Sequence, residues 1–205
     1  MFKTLFKRHA RPLSLNTNGT DKDFDVIYPR SIRRMAEQHF TPLHVAKKAA
    51  AFLAPGTGVK VLDIGSGAGK FCLAGAVITK GSFVGIEQRV DLVNVANSIA
   101  SRCGISNAHF IHANVMTIQF REFDAFYLFN PFYENVRTRE KMDNEVLMSP
   151  SLFASYSSYT AGQLTALPRG TRLATYYTAP SLIPNVYEQA ESLEEGNLLL
   201  WEKRS

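Results

Sequence analysis

Apolar positions along this chain fall into blocks of two periods, helical and strand-like, and the two kinds alternate. Val45, Ala46, Ala49, Phe52 and Leu53 recur at helical spacing, and Pro55-Gly56 closes that run. Thr41-Pro42 reads as the start of this helix, with Thr41 as N-cap and proline at the first helical position. Residues 60–64 follow as a strand in which Val61, Leu62 and Ile64 are apolar, as burial on both faces requires. A helix over 68–78 ends before Gly81, and a second strand covers 82–87. Leu92, Val95, Ala96, Ile99 and Cys103 mark a third helix that Gly104 closes. Strands are expected over 108–113 and 124–129. Ser149-Pro150 repeats the cap-and-proline start for a helix running towards Leu167, and a fifth strand covers 172–177. Residues 187–193 and 198–203 pair as an antiparallel hairpin across Glu194-Glu195-Gly196-Asn197. Residues 1–27 read as irregular and polar apart from Phe2, Leu5 and Phe6. Residues 134–147 read as charged helix or loop.

Strands alternating with helices imply βαβ units: an α/β, doubly wound, mostly parallel sheet with helices on both faces. Ligands of such sheets bind at the carboxyl ends of the strands. Those ends fall at Gly65, Glu87, near Asn114 and at Asn130, which should ring one cleft.

Composition narrows the class. The chain has 205 residues, 45% apolar and 20% charged, ordinary values for one soluble globular domain. No apolar run approaches the ~18 residues of a membrane span. The first eleven residues lack the apolar core of a secretory signal. Cys72 and Cys103 sit in apolar helical patterns and read as reduced residues of a cytoplasmic protein, too few and too far apart for a metal site. Net charge is +5. Residues 1–11 carry four Lys or Arg and no acid, and Arg30, Arg33 and Arg34 form a second basic group. The expected organisation is a basic N-terminal arm and first helical segment over 1–40, then a single domain over 41–205, with an insertion at 134–160.

The chemistry concentrates after the first strand, in Asp63-Ile64-Gly65-Ser66-Gly67-Ala68-Gly69-Lys70. Gly65, Gly67 and Gly69 allow a sharp turn and close approach of a ligand to backbone. A dinucleotide fingerprint needs a small residue where Lys70 stands, so that pattern fails. Asp63-x-Gly65-x-Gly67-x-Gly69 instead resembles the first motif of class I S-adenosylmethionine-dependent methyltransferases. Glu87 closes the second strand where that family keeps an acid, and Asn114 follows the third where it keeps Asp or Asn. The terminal hairpin also matches the family. The resemblance covers roughly residues 41–205 and implies a seven-stranded sheet in the order 3-2-1-4-5-7-6 with strand 7 antiparallel. It implies S-adenosyl-L-methionine as cofactor, held by Asp63, Gly65, Ser66, Gly67, Gly69, Glu87, Gln88, Asn114 and Val115. In that reading Glu87 accepts from both ribose hydroxyls, Asp63 orients the ligand ammonium, and Asn114 accepts from the adenine amine.

The fourth strand ends in Phe129-Asn130-Pro131-Phe132-Tyr133. This resembles the Asn/Asp-Pro-Pro-aromatic signature of methyltransferases acting on planar amines, with Phe132 in place of the second proline. The resemblance makes Asn130, Pro131 and Tyr133 the catalytic set and Phe129 and Phe132 substrate contacts. An Asn oxygen and a nearby carbonyl would accept the two N–H bonds of a conjugated amine and aim its lone pair. His39-Phe40-Thr41-Pro42 resembles the Phe-Thr-Pro segment of some adenine N6 enzymes, although it reads more readily as a helix cap with an apolar residue before it. Tyr156 and Tyr159 are further candidates for the acceptor side. The expected acceptor is an amine on a macromolecule, nucleic acid or protein in preference to a small molecule. A small-molecule methyltransferase and a non-catalytic binding module on the same fold remain the alternatives.

Overall fold

The computed structural model describes residues 14–135 and 146–205. Three short helices come first: α1 (Asp21–Asp25), α2 (Arg30–Arg33) and α3 (Ala36–His39). Then follow α4 (Leu43–Leu53), β1 (Lys60–Ile64), α5 (Lys70–Ile78), β2 (Ser82–Glu87), α6 (Val90–Cys103), β3 (Ala108–His112) and β4 (Ala125–Phe129). The chain ends with α7 (Pro150–Thr165), β5 (Arg172–Tyr176), β6 (Tyr187–Leu193) and β7 (Leu198–Lys203).

The seven strands form one sheet in the order β3-β2-β1-β4-β5-β7-β6. Strands β1 to β5 pair in parallel, and β7 is antiparallel to both β5 and β6. Side chains alternate across the sheet, as a two-residue period demands. Val61, Ala125, Tyr127 and Ala174 face one core with the helices α1 and α3 to α6. Leu62, Ile64, Phe126, Leu128 and Leu173 face a second core under α7. The two helical layers are unequal. The connection 113–124 carries only two 3-10 turns, at Val115–Thr117 and Phe120–Glu122, so α7 is the one long helix described on its face.

Three expectations need correction. Thr41 is not the N-cap of α4: Pro42 occupies that position and makes no side-chain cap. The first-turn N–H of Leu43 donates instead to Asp21 Oδ1 at 2.8 Å. Thr41 is buried, and its hydroxyl pairs with the Tyr127 hydroxyl at 3.0 Å. Second, residues 14–27 are not irregular throughout: 14–20 are, but Asp21–Asp25 is a helix. Thr20 and Asp23 form a reciprocal capping box that starts α1, and Phe24, Ile27 and Tyr28 are buried in the first core. Third, α5 starts at Lys70 rather than at 68. Gly69 holds φ +83°, a left-handed conformation that a right-handed helix cannot contain. Residues 150–160 of the expected insertion are the beginning of α7. Residues 136–145 of it, and the basic positions of 1–11, lie outside the described residues.

Candidate active site

A cavity of about 860 Å³ opens at the carboxyl edge of the sheet, where β1, β2, β4 and β5 end. Its size lies within the ~300–1,000 Å³ of ordinary ligand pockets. Asp63, Gly65, Ser66, Glu87, Gln88 and Val115 line it, and so does the whole run Phe129–Tyr133. The structure thus brings the expected acceptor residues and six of the nine expected cofactor residues to one space.

The three glycines of the loop do three different things. The N–H groups of Gly65 and Ser66 both donate to the Ile86 carbonyl, at 3.0 and 2.9 Å, tying the loop to β2. Gly65 has φ +80°, and a Cβ there would lie 3.2 Å from Pro131 Cβ. The loop therefore abuts the segment after β4 directly. The Gly67 N–H donates to Glu87 Oε2 at 3.1 Å. Gly69 does not line the cavity: a Cβ on it would strike the Phe110 ring at 2.4 Å. Its absent side chain lets α5 approach β3.

Asp63 is 3% exposed. Its described partner is the Cys72 thiol, which donates to Oδ2 at 3.4 Å. Burial first, and the nearby Glu87 carboxylate second, raise its pKa to about 7, against a lowering by the thiol. Such a carboxyl facing a cavity is poised to take a cation. Ser66 Oγ is buried without a hydrogen-bond partner and borders the same space.

Glu87 is buried. Its Oε1 accepts from the N–H groups of Gln88 and Arg89, at 2.8 and 3.0 Å. The Arg89 guanidinium lies 3.7 Å from Oε1 and donates through Nη2 to Glu134 at 2.7 Å. Arg89 therefore bridges the acid at the end of β2 to the residue after Tyr133. Lys70 is 4% exposed, borders the cavity and pairs with Asp25 at 2.7 Å and with Asp21. Asp21 also accepts from Leu43, so one carboxylate joins α1, α4 and α5.

Asn130 has φ +41°, a left-handed conformation that Asn tolerates better than most residues. Its N–H donates to Thr178 Oγ1 at 3.1 Å, and its carbonyl accepts from Tyr133. Thr178 in turn donates to the Leu128 and Tyr176 carbonyls. With its backbone fixed in this way, Asn130 lines the cavity, and its carboxamide makes no hydrogen bond among the described residues. Tyr133 lines the same wall, while Phe132 is buried against Tyr156, with ring centroids 5.5 Å apart. Beyond Asn130, Phe129, Tyr176 and Tyr177 form a three-ring wall, with centroid separations of 4.6–6.4 Å.

Not every expected position lines the cavity. Gly67 and Asn114 are not among the lining residues. Asn114 caps a 3-10 turn through Oδ1 to the Met116 N–H, and its Nδ2 donates to the Tyr156 hydroxyl. Its adjacent residues Ala113 and Val115 border the cavity instead. Tyr156 lines the cavity, whereas the Tyr159 hydroxyl donates to the Ile118 carbonyl as a packing contact. Of the Phe-Thr-Pro segment, His39, Phe40, Thr41 and Pro42 all border the cavity. Sequence reasoning missed Arg89, Glu134, Tyr176 and Tyr177. The two tyrosines had a readable signal: β5 is parallel to β4, so its end must reach the same edge.

The sheet order, the single antiparallel strand and a glycine loop at the end of β1 define a class I S-adenosylmethionine-dependent methyltransferase domain. Residues 55–195 match the family described as "Methyltransferase domain", and the chain belongs to that family. No curated protein matches the sequence. Among solved structures, TrmN from Thermus thermophilus superposes with a TM-score of 0.58 at 20% identity, covering 85% of this chain and 52% of TrmN. An RNA methyltransferase from Salinibacter ruber in complex with S-adenosyl-L-homocysteine gives 0.50 at 20% identity, covering 86% and 93%. An S-adenosylmethionine-dependent O-methyltransferase from Thermotoga maritima gives 0.54 at 14% identity, covering 86% and 71%. The chain spans about half the length of TrmN. At these identities the likeness is one of fold.

The cofactor of this family is S-adenosylmethionine, and the residues present fit it. A buried acid with a thiol partner, an orphaned Ser66 hydroxyl and a bare Gly65 backbone meet the demands of an amino-acid moiety. Glu87 and the apolar Ile64, Ile86 and Val115 supply what a ribose and a flat base require. No helix among the described residues is long and apolar enough to cross a membrane.

Proposed function

We propose that this protein transfers a methyl group from S-adenosylmethionine to a nitrogen of a macromolecule, with the Asn130–Tyr133 segment holding the acceptor. The observation that carries this reading is the Asn130 carboxamide. Asn130 lines the cavity, and its carboxamide has no hydrogen bond among the described residues, on a backbone fixed from two sides. When bound, the cofactor would supply an electrophilic methyl: the nitrogen lone pair forms the N–C bond as the C–S bond breaks, the neutral thioether S-adenosylhomocysteine leaves, and the extra proton on the methylated nitrogen passes to water afterwards, so no strong base is needed. Asn130 accepts an N–H of the acceptor and aims its nitrogen. Pro131, packed against Gly65, sets the distance between the acceptor loop and the cofactor loop. Tyr133 and Phe129 close the sides and exclude water. Asp63 and Glu87 hold the cofactor ends.

Asn130→Gly keeps the left-handed backbone and removes only the carboxamide. Turnover should fall by about 100-fold, as when one positioned polar group is removed from an active site, while S-adenosylhomocysteine affinity stays within twofold. Unchanged turnover would remove Asn130 from the mechanism. The acceptor is found by incubating the protein with methyl-labelled cofactor and fractionated lysate. Label in RNA, DNA or protein supports the macromolecular reading, and label in small molecules alone overturns it.

A further inference from the structure

Two features outside the cofactor site point to the same kind of acceptor. The first is on α2. Arg30, Arg33 and Arg34 together line a recess on the surface. Arg30 and Arg34 are exposed and Arg33 is half-buried. None of the three makes a close ion pair among the described residues, although Arg33 lies near enough to Asp25 to favour its charged form, whereas the buried cations at the cleft, Lys70 and Arg89, are both in direct contact with carboxylates. The wall of the recess is mostly apolar, formed by the arginine stems, and the three guanidinium groups make a basic patch around it whose planar forks match phosphate oxygens. Arg33 stands six residues before His39, which borders the cavity. Six residues span at most about 22 Å even when fully extended, and α3 shortens that path. One strand of a few nucleotides therefore reaches from the recess to the cleft.

The second feature is the aromatic wall. Tyr177 is 56% exposed, an unusual position for a large ring beside a cavity, and it holds φ +48°. A left-handed tyrosine is strained. Its N–H donates to the Asn197 carbonyl of the terminal hairpin, which holds it in place. The conformation places its ring 4.6 Å from Tyr176 and 6.4 Å from Phe129, beside the unused Asn130 carboxamide. Aromatic faces of this kind stack on nucleobases.

Resting on the methyltransferase reading above, we propose that the acceptor is a single-stranded nucleic acid. Its phosphates dock on Arg30, Arg33 and Arg34, and its target base stacks on the Phe129–Tyr176–Tyr177 wall next to Asn130. Single-stranded character follows from the cleft: the base must leave any helix to bring its amine to Asn130. A lysine-bearing peptide is disfavoured, because a patch of three arginines repels a basic segment.

The test measures anisotropy of fluorescein-labelled 12-nucleotide RNA and DNA, with a polyglutamate peptide as an anionic control, in the presence of S-adenosylhomocysteine. Three phosphate contacts on a single strand predict a log–log salt slope of about −2 from these residues. Binding by wild type, a slope flattened by about 2 in R30Q/R33Q/R34Q, and an affinity loss of about fivefold or more in Tyr177→Ala support the proposal. Tyr177→Trp should restore the lost affinity. Preference for RNA over DNA would place the contact at the 2′-hydroxyl; equal binding leaves the proposal standing for both. No oligonucleotide binding at low salt overturns it, as does equal binding of polyglutamate, or a slope unchanged in the triple variant. S-adenosylhomocysteine affinity, measured separately by calorimetry, should be unaltered in the triple variant. Its absence in wild type would sink the methyltransferase reading instead.

Discussion

Arg89 Nη2 donates to the Glu134 carboxylate at 2.7 Å while the same guanidinium lies 3.7 Å from Glu87. One buried cation thus joins the acid at the end of β2 to the loop expected to hold the acceptor. Replacing Arg89 by Met removes the cation from between two carboxylates. Breaking a buried pair in this way costs about 3–5 kcal/mol. The melting temperature of Arg89→Met should fall by roughly 10 °C, and adding Glu134→Leu should recover part of the loss. Thermal unfolding followed by circular dichroism checks both; a double variant no better than the single would show that the two residues are not coupled.

Asp63 makes the protein sensitive to pH near neutrality. Its carboxyl titrates near 3.8 when unfolded and at about 7 when folded. Between those values the native state keeps a proton that the unfolded chain has lost. Stability therefore falls as pH rises from about 4 to 7, by up to about 4 kcal/mol. A ligand ammonium prefers the ionised carboxylate. Cofactor affinity should accordingly rise about tenfold between pH 6 and 8, as the ionised fraction grows from roughly 0.1 to 0.9. In Asp63→Asn both dependences should flatten. Calorimetric titrations at four pH values give the answer, and a wild-type affinity independent of pH would contradict the assigned contact.

Lys70 anchors the N-terminal helices over the cleft through Asp21 and Asp25. Burial raises the Asp25 pKa, and Lys70 opposes that rise. Lys70→Met leaves Asp25 buried without its cation, at a cost of about 3–5 kcal/mol. The triple variant K70M/D21N/D25N should be more stable than K70M alone. Limited proteolysis should cut K70M first within residues 14–40, and cleavage elsewhere in the chain would count against the anchor.

Gly65 and Gly69 separate cofactor geometry from folding. An alanine at either position takes a left-handed φ that costs about 1–2 kcal/mol. At Gly69 the added Cβ also collides with the Phe110 ring. Gly69→Ala should therefore lower the melting temperature more than Gly65→Ala does. Gly65→Ala should mainly impair S-adenosylhomocysteine binding and turnover, since its Cβ presses on Pro131 within the cavity wall. Comparing the melting shift with the affinity of each variant decides the matter; equal melting losses with equal affinities would refute the division.

The period of apolar residues was enough to predict all seven strands within a residue or two, because strand ends here coincide with glycine, proline and acid punctuation. The hairpin 187–203 is the clearest case: its limits in the sequence and in the structure agree. Asp63, the glycine loop, Glu87 and the Asn130 segment were legible as well, since each stands at a strand end and all parallel strand ends share an edge. What the chain order could not reveal is what long-range partners do with a side chain. Thr41 looks like a helix cap until Tyr127, 86 positions away, takes its hydroxyl and Asp21 caps the helix instead. Asn114 looks like a cofactor contact until Tyr156 and Met116 occupy its carboxamide. Gly69 looks like a ligand-facing glycine until Phe110 fills the space beside it. Local sequence determined the elements and the edge where chemistry gathers, because backbone preference and periodicity act over a few residues. Only the tertiary structure decided which of those polar groups are already satisfied and which, like the Asn130 carboxamide, are left for a ligand, because hydrogen-bond partners in a folded core come from anywhere along the chain.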